Sequence, residues 1–168
     1  MEIPSKGGLM PMLLWNLPRD AFFNVVHEVR RQLMGGADVG FDLLCQLLGG
    51  NVRALMDLAM NYGWDLRTWL RNVVNHIRDL MYGGEVVILN LLDVSALMAW
   101  IRSRMSEPKP DDLMYGALLG REPLIEDNVL ICVIGRSLSQ LPGEEWVGND
   151  HAYQLPAYYW VLKAMVNK

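Results

Sequence analysis

The amino-acid sequence predicts an all-α fold, a bundle of about seven to eight helices around a central apolar hairpin. Apolar residues make up 52% of the 168 residues and charged residues only 20%, which suffices for one domain with a sizeable core. Glycine pairs and prolines divide the chain into segments of helical length, and within these segments apolar residues recur every three or four positions. We therefore treat residues 1–168 as a single helical domain.

The first two predicted helices are bounded by proline and glycine. Pro18 is suited to a first helical turn, and the apolar stripe that follows ends at Gly35-Gly36. A second, short helix is expected from Asp38 to Gly49-Gly50. The predicted stripe of the first helix consists of Phe22, Val26, Val29 and Leu33.

The next two helices carry capping signals. Asn51 is a suitable N-cap for a third helix that should end near residues 61–63. Asp65 is expected to cap a longer fourth helix, which Gly83-Gly84 would end or kink. Its predicted inward residues are Leu66, Trp69, Val73, Ile77 and Leu80, and its predicted outward residues are Arg67, Arg71, Asn75 and Arg78.

Two apolar segments are expected to form the central hairpin. Residues 86–101 are apolar almost all round, which is typical of a buried helix. The segment is too long for an ordinary strand, and at about sixteen residues, including Asp93, it is too short for a membrane span, which needs roughly twenty. A second apolar segment, residues 124–138, is expected to pair with it as the other helix of the hairpin.

Composition argues against several partners and compartments. The net charge is -4 and no basic cluster occurs, so neither nucleic acid nor anionic lipid is an expected partner. Cys45 and Cys132 lie in apolar helical patterns and are expected to be free core residues, with a disulfide or reactive thiol as the alternative. The chain shows no signal-peptide pattern and no Asn-x-Ser/Thr sequon, which favours a reducing, cytoplasmic setting.

No motif indicates an enzyme. The sequence has no His-Glu-x-x-His motif and no cysteine pair for a metal, and residues 35–40 lack the Lys-Ser/Thr of a phosphate loop. Gly-x-Ser-x-Gly is also missing, and the acidic pairs at 111–112 and 144–145 are expected to be solvated. We predict no catalytic residue, no metal and no cofactor. The three isolated histidines are His27, His76 and His151.

Three stretches resemble the homology motifs of the B-cell lymphoma two (Bcl-two) family of apoptosis regulators. Residues 78–87 resemble the first motif in the Arg-Asp at a helix end, in Gly84 and in the apolar start that follows. Residues 146–153 resemble the second motif in two aromatics seven positions apart, and residues 123–128 resemble the helix opening that precedes it. Residues 33–38 resemble a third motif in the spacing of Leu, small residue and Asp.

The resemblance, which covers residues 20–159, implies a Bcl-two-like bundle that binds an amphipathic partner helix in a hydrophobic groove. The implied partners are pro-apoptotic proteins that carry an amphipathic death-motif helix. Ordinary core packing is the alternative for each aliphatic residue in the expected groove. The residues expected to contact the partner helix are Leu44, Leu48, Leu55, Met56, Val73, Ile77, Tyr82, Gly84, Glu85 and Val87.

The sequence also departs from the family pattern. Glu85 stands where the family has the arginine that pairs with an aspartate of the bound helix, so we expect narrow selectivity. Residues 106–121 resemble an insertion between the two central helices. After Leu155 the longest apolar stretch is broken by Lys163, so no stable membrane anchor is expected and any mitochondrial association would be peripheral. In these respects the chain is similar to compact viral members of the family.

The resulting functional hypothesis is an inhibitor of apoptosis that sequesters death-promoting helices. A membrane-permeabilising effector is the alternative within the family. A helical self-assembling structural or adaptor protein without helix-binding activity is the alternative from another class. A homodimer is compatible with either, because a second copy of the chain can cover part of a groove.

Overall fold

The computed structural model describes residues 16–82, 93–104, 121–133, 146–148 and 151–166. Within these residues the chain forms seven helices and one small sheet, so the predicted mostly helical class is confirmed. The helices are α1 (Arg19–Leu33), α2 (Phe41–Leu48), α3 (Val52–Met60), α4 (Leu66–Tyr82), α5 (Val94–Arg104), α6 (Arg121–Glu126) and α7 (Pro156–Val166), and the strands are β1 (Leu130–Cys132) and β2 (His151–Tyr153).

The predicted caps of α3 and α4 are confirmed. The Asn51 side chain accepts a hydrogen bond from the Ala54 backbone N–H at 2.9 Å. Asp65 Oδ1 accepts from the backbone N–H groups of Arg67 and Thr68, both at 3.1 Å. Each cap satisfies donors that the first helical turn leaves without a partner. These local interactions fix where α3 and α4 begin.

The ends of α1 and α2 also agree with the sequence. α1 begins directly after Pro18, which is extended, and ends at Leu33; the next residue, Met34, is the C-cap and lies in the left-handed region with φ 48°. α2 ends at Leu48 and is capped by Gly49, whose N–H donates to the Cys45 carbonyl at 2.9 Å. Leu33 differs from the prediction, because its side chain is 42% exposed where the apolar stripe placed it inside. The inward residues of α4 are buried except Leu80, which is half-buried.

The turn after α1 needs its glycine pair for packing as well as for ending the helix. A Cβ at Gly35 would lie 2.6 Å from Cδ1 of the buried Trp64, and a Cβ at Gly36 would overlap the same indole ring. The Arg30 guanidinium lies 5.8 Å from the centre of that ring, and Arg30 also donates a hydrogen bond to the Val39 carbonyl. Trp64 therefore joins the end of α1 to the turn between α3 and α4.

α7 packs against α2, α4 and α5 and contributes much of the core. Trp160 is 1% exposed, and its indole N–H donates to the Gln46 carbonyl of α2 at 2.9 Å. The Trp100 ring of α5 meets the Trp160 ring edge-on at 5.6 Å. Other side chains of α7 that are fully buried are Ala157, Tyr159, Val161 and Leu162.

The predicted continuous helix over residues 86–101 is wrong where it crosses Asp93. Asp93 is not helical, and its carboxylate accepts a hydrogen bond from the Ser95 backbone N–H at 2.9 Å. The side chain therefore caps a new helix, α5, that begins at Val94. Residues 86–92, the other part of this prediction, lie outside the described residues, and so do all residues of the predicted insertion at 106–121 except Arg121, the first residue of α6.

The predicted second helix of the central hairpin, residues 124–138, is helical only as far as Glu126 and is wrong over residues 127–133. α6 ends at Glu126, and Asn128 adopts the left-handed conformation with φ 57°. Residues 130–132 then form β1, which pairs antiparallel with β2 through the partners Leu130 and Tyr153. The backbone N–H and C=O groups of this apolar segment therefore form hydrogen bonds with the neighbouring strand β2 and not within a helix. Residues 134–138 lie outside the described part.

Of the two cysteines, one departs from the prediction. Cys45 lies on α2 and is half-buried, in agreement with a helical position next to the core. Cys132 lies on β1 and is exposed, so its expected place in a buried helix is wrong. No disulfide joins these two residues.

No helix in the described residues has the length and apolar character needed to cross a membrane. α4 has 17 residues and carries three arginines along its length, at positions 67, 71 and 78.

We predict that Gly36→Ser lowers the free energy of unfolding by about 2 kcal/mol, because a Cβ would overlap Trp64 and the residue has φ 73°. Gly40→Ser is the matched control, since a Cβ at Gly40 would meet no packed neighbour within 4 Å and serine is a good N-cap for α2. Urea unfolding of both variants tests this. Equal stability of the two variants would contradict the packing argument.

We predict that Glu28 makes stability depend on acid pH. Hydrogen bonds from the Arg31 side chain, and then from the Gln32 side chain, lower the pKa of Glu28 to about 2. Because the folded-state pKa is lowered, the stabilisation is present above the ordinary pKa of a glutamate, 4.5, and is lost as the pH falls towards 2. The melting temperatures of the wild-type protein and Glu28→Gln should therefore converge between about pH 5 and pH 2. Parallel profiles would refute this assignment.

Candidate functional site

An open cleft of about 410 Å³ lies between α3 and α4 and is closed at one side by the start of α7. Its apolar floor comes from α3, from α4 and from the residue before α7. The floor side chains are buried within the fold and present only their edges to the cleft. They are Ala54, Trp69, Val73 and Leu155.

Polar and charged side chains form the rim of the cleft. Arg53 and Asp57 lie one turn apart on α3, and His76 faces them from α4. Arg53 forms no salt bridge within the part of the chain that the structure describes. The rim therefore offers charges of both signs next to an apolar floor. The remaining rim residues are Asn51, Tyr62, Asn72, Gln154 and Tyr158.

Several rim side chains are held in place by hydrogen bonds. Asn72 Nδ2 donates to the Tyr62 hydroxyl at 2.9 Å, which links α4 to the turn before it. Asn61 Nδ2 donates to Asp57 Oδ1 at 2.7 Å. The shape of this side of the cleft is thus set by contacts within the protein.

Tyr158 connects the rim to α7. Its ring centre lies 6.1 Å from that of His76, with the rings tilted by 46°. Burial raises the pKa of the Tyr158 phenol, the negative charge of Asp127 raises it further, and the positive charge of Arg53 opposes both. The phenol is therefore neutral at ordinary pH and can donate a hydrogen bond to a ligand.

The structure brings few of the predicted contact residues to this cleft. Val73 lines it, and Met56 lies nearby on α3 and is half-buried. Tyr82 is the last residue of α4, and Gly84, Glu85 and Val87 lie outside the described residues. Four of the predicted wall residues are fully buried in the core, so a ligand cannot reach them while this packing is intact. These four are Leu44, Leu48, Leu55 and Ile77.

The charged and aromatic rim residues were not predicted. The spacing of Arg53 and Asp57 by four positions does place them on one face of α3, and this signal was available in the sequence. Their proximity to Tyr158, by contrast, depends on contacts between residues about a hundred positions apart. Such contacts leave no local pattern in the sequence.

A second cavity, of about 420 Å³, lies between the turn after α1, the turn before α4 and α5. Its lining includes Trp64, Asp65, Met98 and Arg102. Within the described residues, no group of three or more potential ligand side chains could hold a metal ion.

Comparisons of this chain with protein-family models, with curated proteins and with solved structures found no match.

We predict that the environment of Tyr158 can be altered one charge at a time. Asp127→Asn should lower the pKa of Tyr158, and Arg53→Gln should raise it, because the two charges act in opposite directions on the phenolate. Tyr158→Phe identifies its signal in a ¹³C-tyrosine NMR titration. Because the pKa is raised in the folded protein, stability is expected to fall as the pH rises above about 10. Shifts of the same sign in both variants would contradict this account.

Proposed function

We propose that this protein binds an amphipathic helix of a partner protein in the cleft between α3 and α4, and that it inhibits apoptosis by sequestering that helix. The observation that carries the proposal is the cleft itself, which combines an apolar floor with a rim of mixed charge between two helices. Proteins that recognise helices use this combination, in which apolar side chains anchor the ligand and polar groups set its register.

The dimensions of the cleft suit a short helical segment. α3 has nine residues and is therefore about 13 Å long. A bound helix that places anchors at positions i, i+3 or i+4, and i+7 spans about 10 Å along its axis. Two to three anchor side chains of a partner can thus lie along α3, with one of them directed at the floor beside Val73.

Charge at the rim supplies selectivity. Arg53 is available to an acidic residue of the partner, whereas Asp57, on the next turn, disfavours a second acid there. Such exposed pairs contribute only about 0.2 to 1 kcal/mol each, so they discriminate among helices that share the same apolar anchors. Narrow selectivity, which the sequence predicts from Glu85, is part of this proposal.

The resemblance to the Bcl-two family supports the choice of partner. Arg78 and Asp79 lie near the end of α4 and form a side-chain pair at 3.3 Å. Trp146 and Tyr153 are both buried and are joined by a backbone hydrogen bond of 2.9 Å, so this pair packs the fold. The resemblance in sequence is the reason for proposing the amphipathic death-motif helices of pro-apoptotic proteins as the ligands.

We predict submicromolar binding of one or a few members of a panel of synthetic death-motif helices, measured by titration calorimetry. Asn72→Trp places a large side chain in the cleft and should weaken binding at least about tenfold, or about 1.4 kcal/mol. Arg71→Trp is the matched control, because Arg71 is the neighbouring exposed residue on α4 and does not line the cleft. It should leave the affinity unchanged.

Two results would overturn the proposal. The first is that the folded wild-type protein binds no helix of the panel. The second is that Asn72→Trp and Arg71→Trp bind equally well, which would place the ligand elsewhere on the surface. A Glu85→Arg variant tests selectivity separately, since broader binding is expected if Glu85 restricts the ligand range.

Self-assembly is the second candidate function, and exposed apolar side chains favour it. Met34 is 90% exposed, Met60 63% and Phe23 50%. Sedimentation velocity of the wild-type protein and of Met34→Ser/Met60→Ser distinguishes this function. A stable oligomer that the variant dissociates, together with no affinity for any helix of the panel, would favour a structural or adaptor protein.

A further inference from the structure

We propose that Cys132 and His151 are two ligands of a zinc site, and that the same two residues of a second copy of this chain complete it. The pair lies on the small sheet and does not line the cleft between α3 and α4. The zinc site does not depend on the proposed function, because the proposed helix binding uses neither residue.

Cys132 and His151 face each other across the two strands. They are register partners at one end of the sheet, where β1 pairs antiparallel with β2. Side chains of directly opposite residues lie on the same face of a sheet. The thiol and the imidazole are therefore neighbours in the fold, although a long stretch of sequence separates them.

The hydrogen-bond pattern of the sheet brings this pair close together. The Gln154 N–H donates to the Val129 carbonyl at 3.1 Å, so these two opposite residues are a hydrogen-bonded pair. Because hydrogen-bonded and non-hydrogen-bonded pairs alternate along an antiparallel ladder, Cys132 and His151 form a non-hydrogen-bonded pair. The His151 carbonyl accordingly accepts from the Gly148 N–H, on the other side of β2, at 2.9 Å. Partners of this kind have Cα atoms only about 4.5 Å apart.

This spacing suits chelation of a zinc ion. A Zn–S bond is about 2.3 Å long and a Zn–N bond about 2.0 Å, so a sulfur and a nitrogen ligand in tetrahedral coordination lie about 3.6 Å apart. Two side chains whose Cβ atoms are about 5 Å apart reach that separation by rotation about their χ angles. One zinc ion can thus bind Cys132 Sγ and a ring nitrogen of His151.

Both ligand groups are accessible to a metal ion. Cys132 is exposed and His151 is half-buried, at the end of a sheet face on which Leu130 and Tyr153 are buried. Within the described part of the chain, neither ligand side chain forms a hydrogen bond or an ion pair. Zinc binding therefore breaks no described internal interaction, and it occurs where another molecule can approach.

The pair supplies only half of a zinc coordination shell. Structural zinc is almost always held by four ligands, and two cysteines with two histidines are a common set. No group of three or more metal-binding side chains occurs among the described residues. A symmetric dimer presents the same surface from both copies, so it adds a second cysteine and a second histidine. The two thiols release their protons to solvent on binding, and the two thiolates balance the charge of Zn²⁺.

Zinc titration of the full chain tests this site, in a non-thiol reductant that prevents a disulfide between copies. We expect calorimetry to show one zinc ion for every two chains. Sedimentation velocity should show a zinc-dependent dimer that a chelator dissociates. Co²⁺ in place of zinc should give the thiolate-to-cobalt charge-transfer band and the d–d bands of tetrahedral cobalt, which a purely structural role of the two residues would not produce.

Single substitutions identify the ligands. Cys132→Ser and His151→Gln should each weaken zinc binding at least about a hundredfold, because the dimer loses two of its four ligands. Cys45→Ala and His27→Gln are the matched controls, since Cys45 lies on α2 and His27 on α1. Both controls should bind zinc as the wild-type protein does.

Three results would overturn the inference. The first is that the folded wild-type protein binds no zinc, and the second is that zinc binding survives both Cys132→Ser and His151→Gln. The third is a zinc complex that stays monomeric, because its remaining ligands would then come from the same chain or from water. Neither substitution alters a residue of the cleft, so failure of the zinc site leaves the proposed function intact, and failure of helix binding leaves the zinc site intact.

Discussion

The hydrogen bond from the Trp160 indole to the Gln46 carbonyl is the interaction on which the rest of the structure depends. Burial of an indole is strongly favourable, but its N–H needs an acceptor once water is excluded. The carbonyl of α2 supplies that acceptor at 2.9 Å. Because α7 is an α-helix, fixing Trp160 fixes the rotation of the whole helix. Tyr158, two positions earlier, is thereby directed to the cleft and away from the core.

Gln154, which lies just before α7, connects that helix by hydrogen bonds to the start of the described chain. Its N–H donates to the Val129 carbonyl at 3.1 Å, and its carbonyl accepts from Asn16 at 3.0 Å. One peptide region therefore joins the segment before α1, the residue before β1 and the start of α7. The cleft lies where these connections meet, which explains why its rim includes residues from distant parts of the sequence.

The parts of the fold that the sequence predicts correctly depend on local chemistry. The caps at Asn51 and Asp65 involve partners within three residues, and the end of α2 at Gly49 involves a carbonyl four residues before it. Strand β1 could not be predicted in this way. Its apolar run is compatible with a helix or a strand, and the pairing of Leu130 with Tyr153 decides between them. Asp93 is an intermediate case. Its capping interaction is local and is therefore predictable in principle, but the apolar residues on both sides of it favour the prediction of one continuous helix.

The distinction between local and long-range interactions also applies to the candidate site. The apolar residues of α2, α3 and α4 were expected to line a groove, and Leu44, Leu55 and Ile77 instead pack in the core. Periodicity identifies the buried face of a helix but does not tell whether that face meets another helix or a ligand. The residues that border the cleft are those at the edges of these faces, where an apolar stripe changes to charged residues such as Arg53.

The long separation between Trp160 and Gln46 has a consequence for how the protein folds during synthesis. The two residues are 114 positions apart, and a ribosome that adds about 5 to 20 residues per second needs roughly 6 to 23 s to make the chain between them. During that interval α2 to α4 can form local contacts, but the cleft lacks the wall that α7 provides. A nascent chain therefore exposes the core faces of α2 and α4 to other proteins for many seconds, which makes early chaperone contact advantageous.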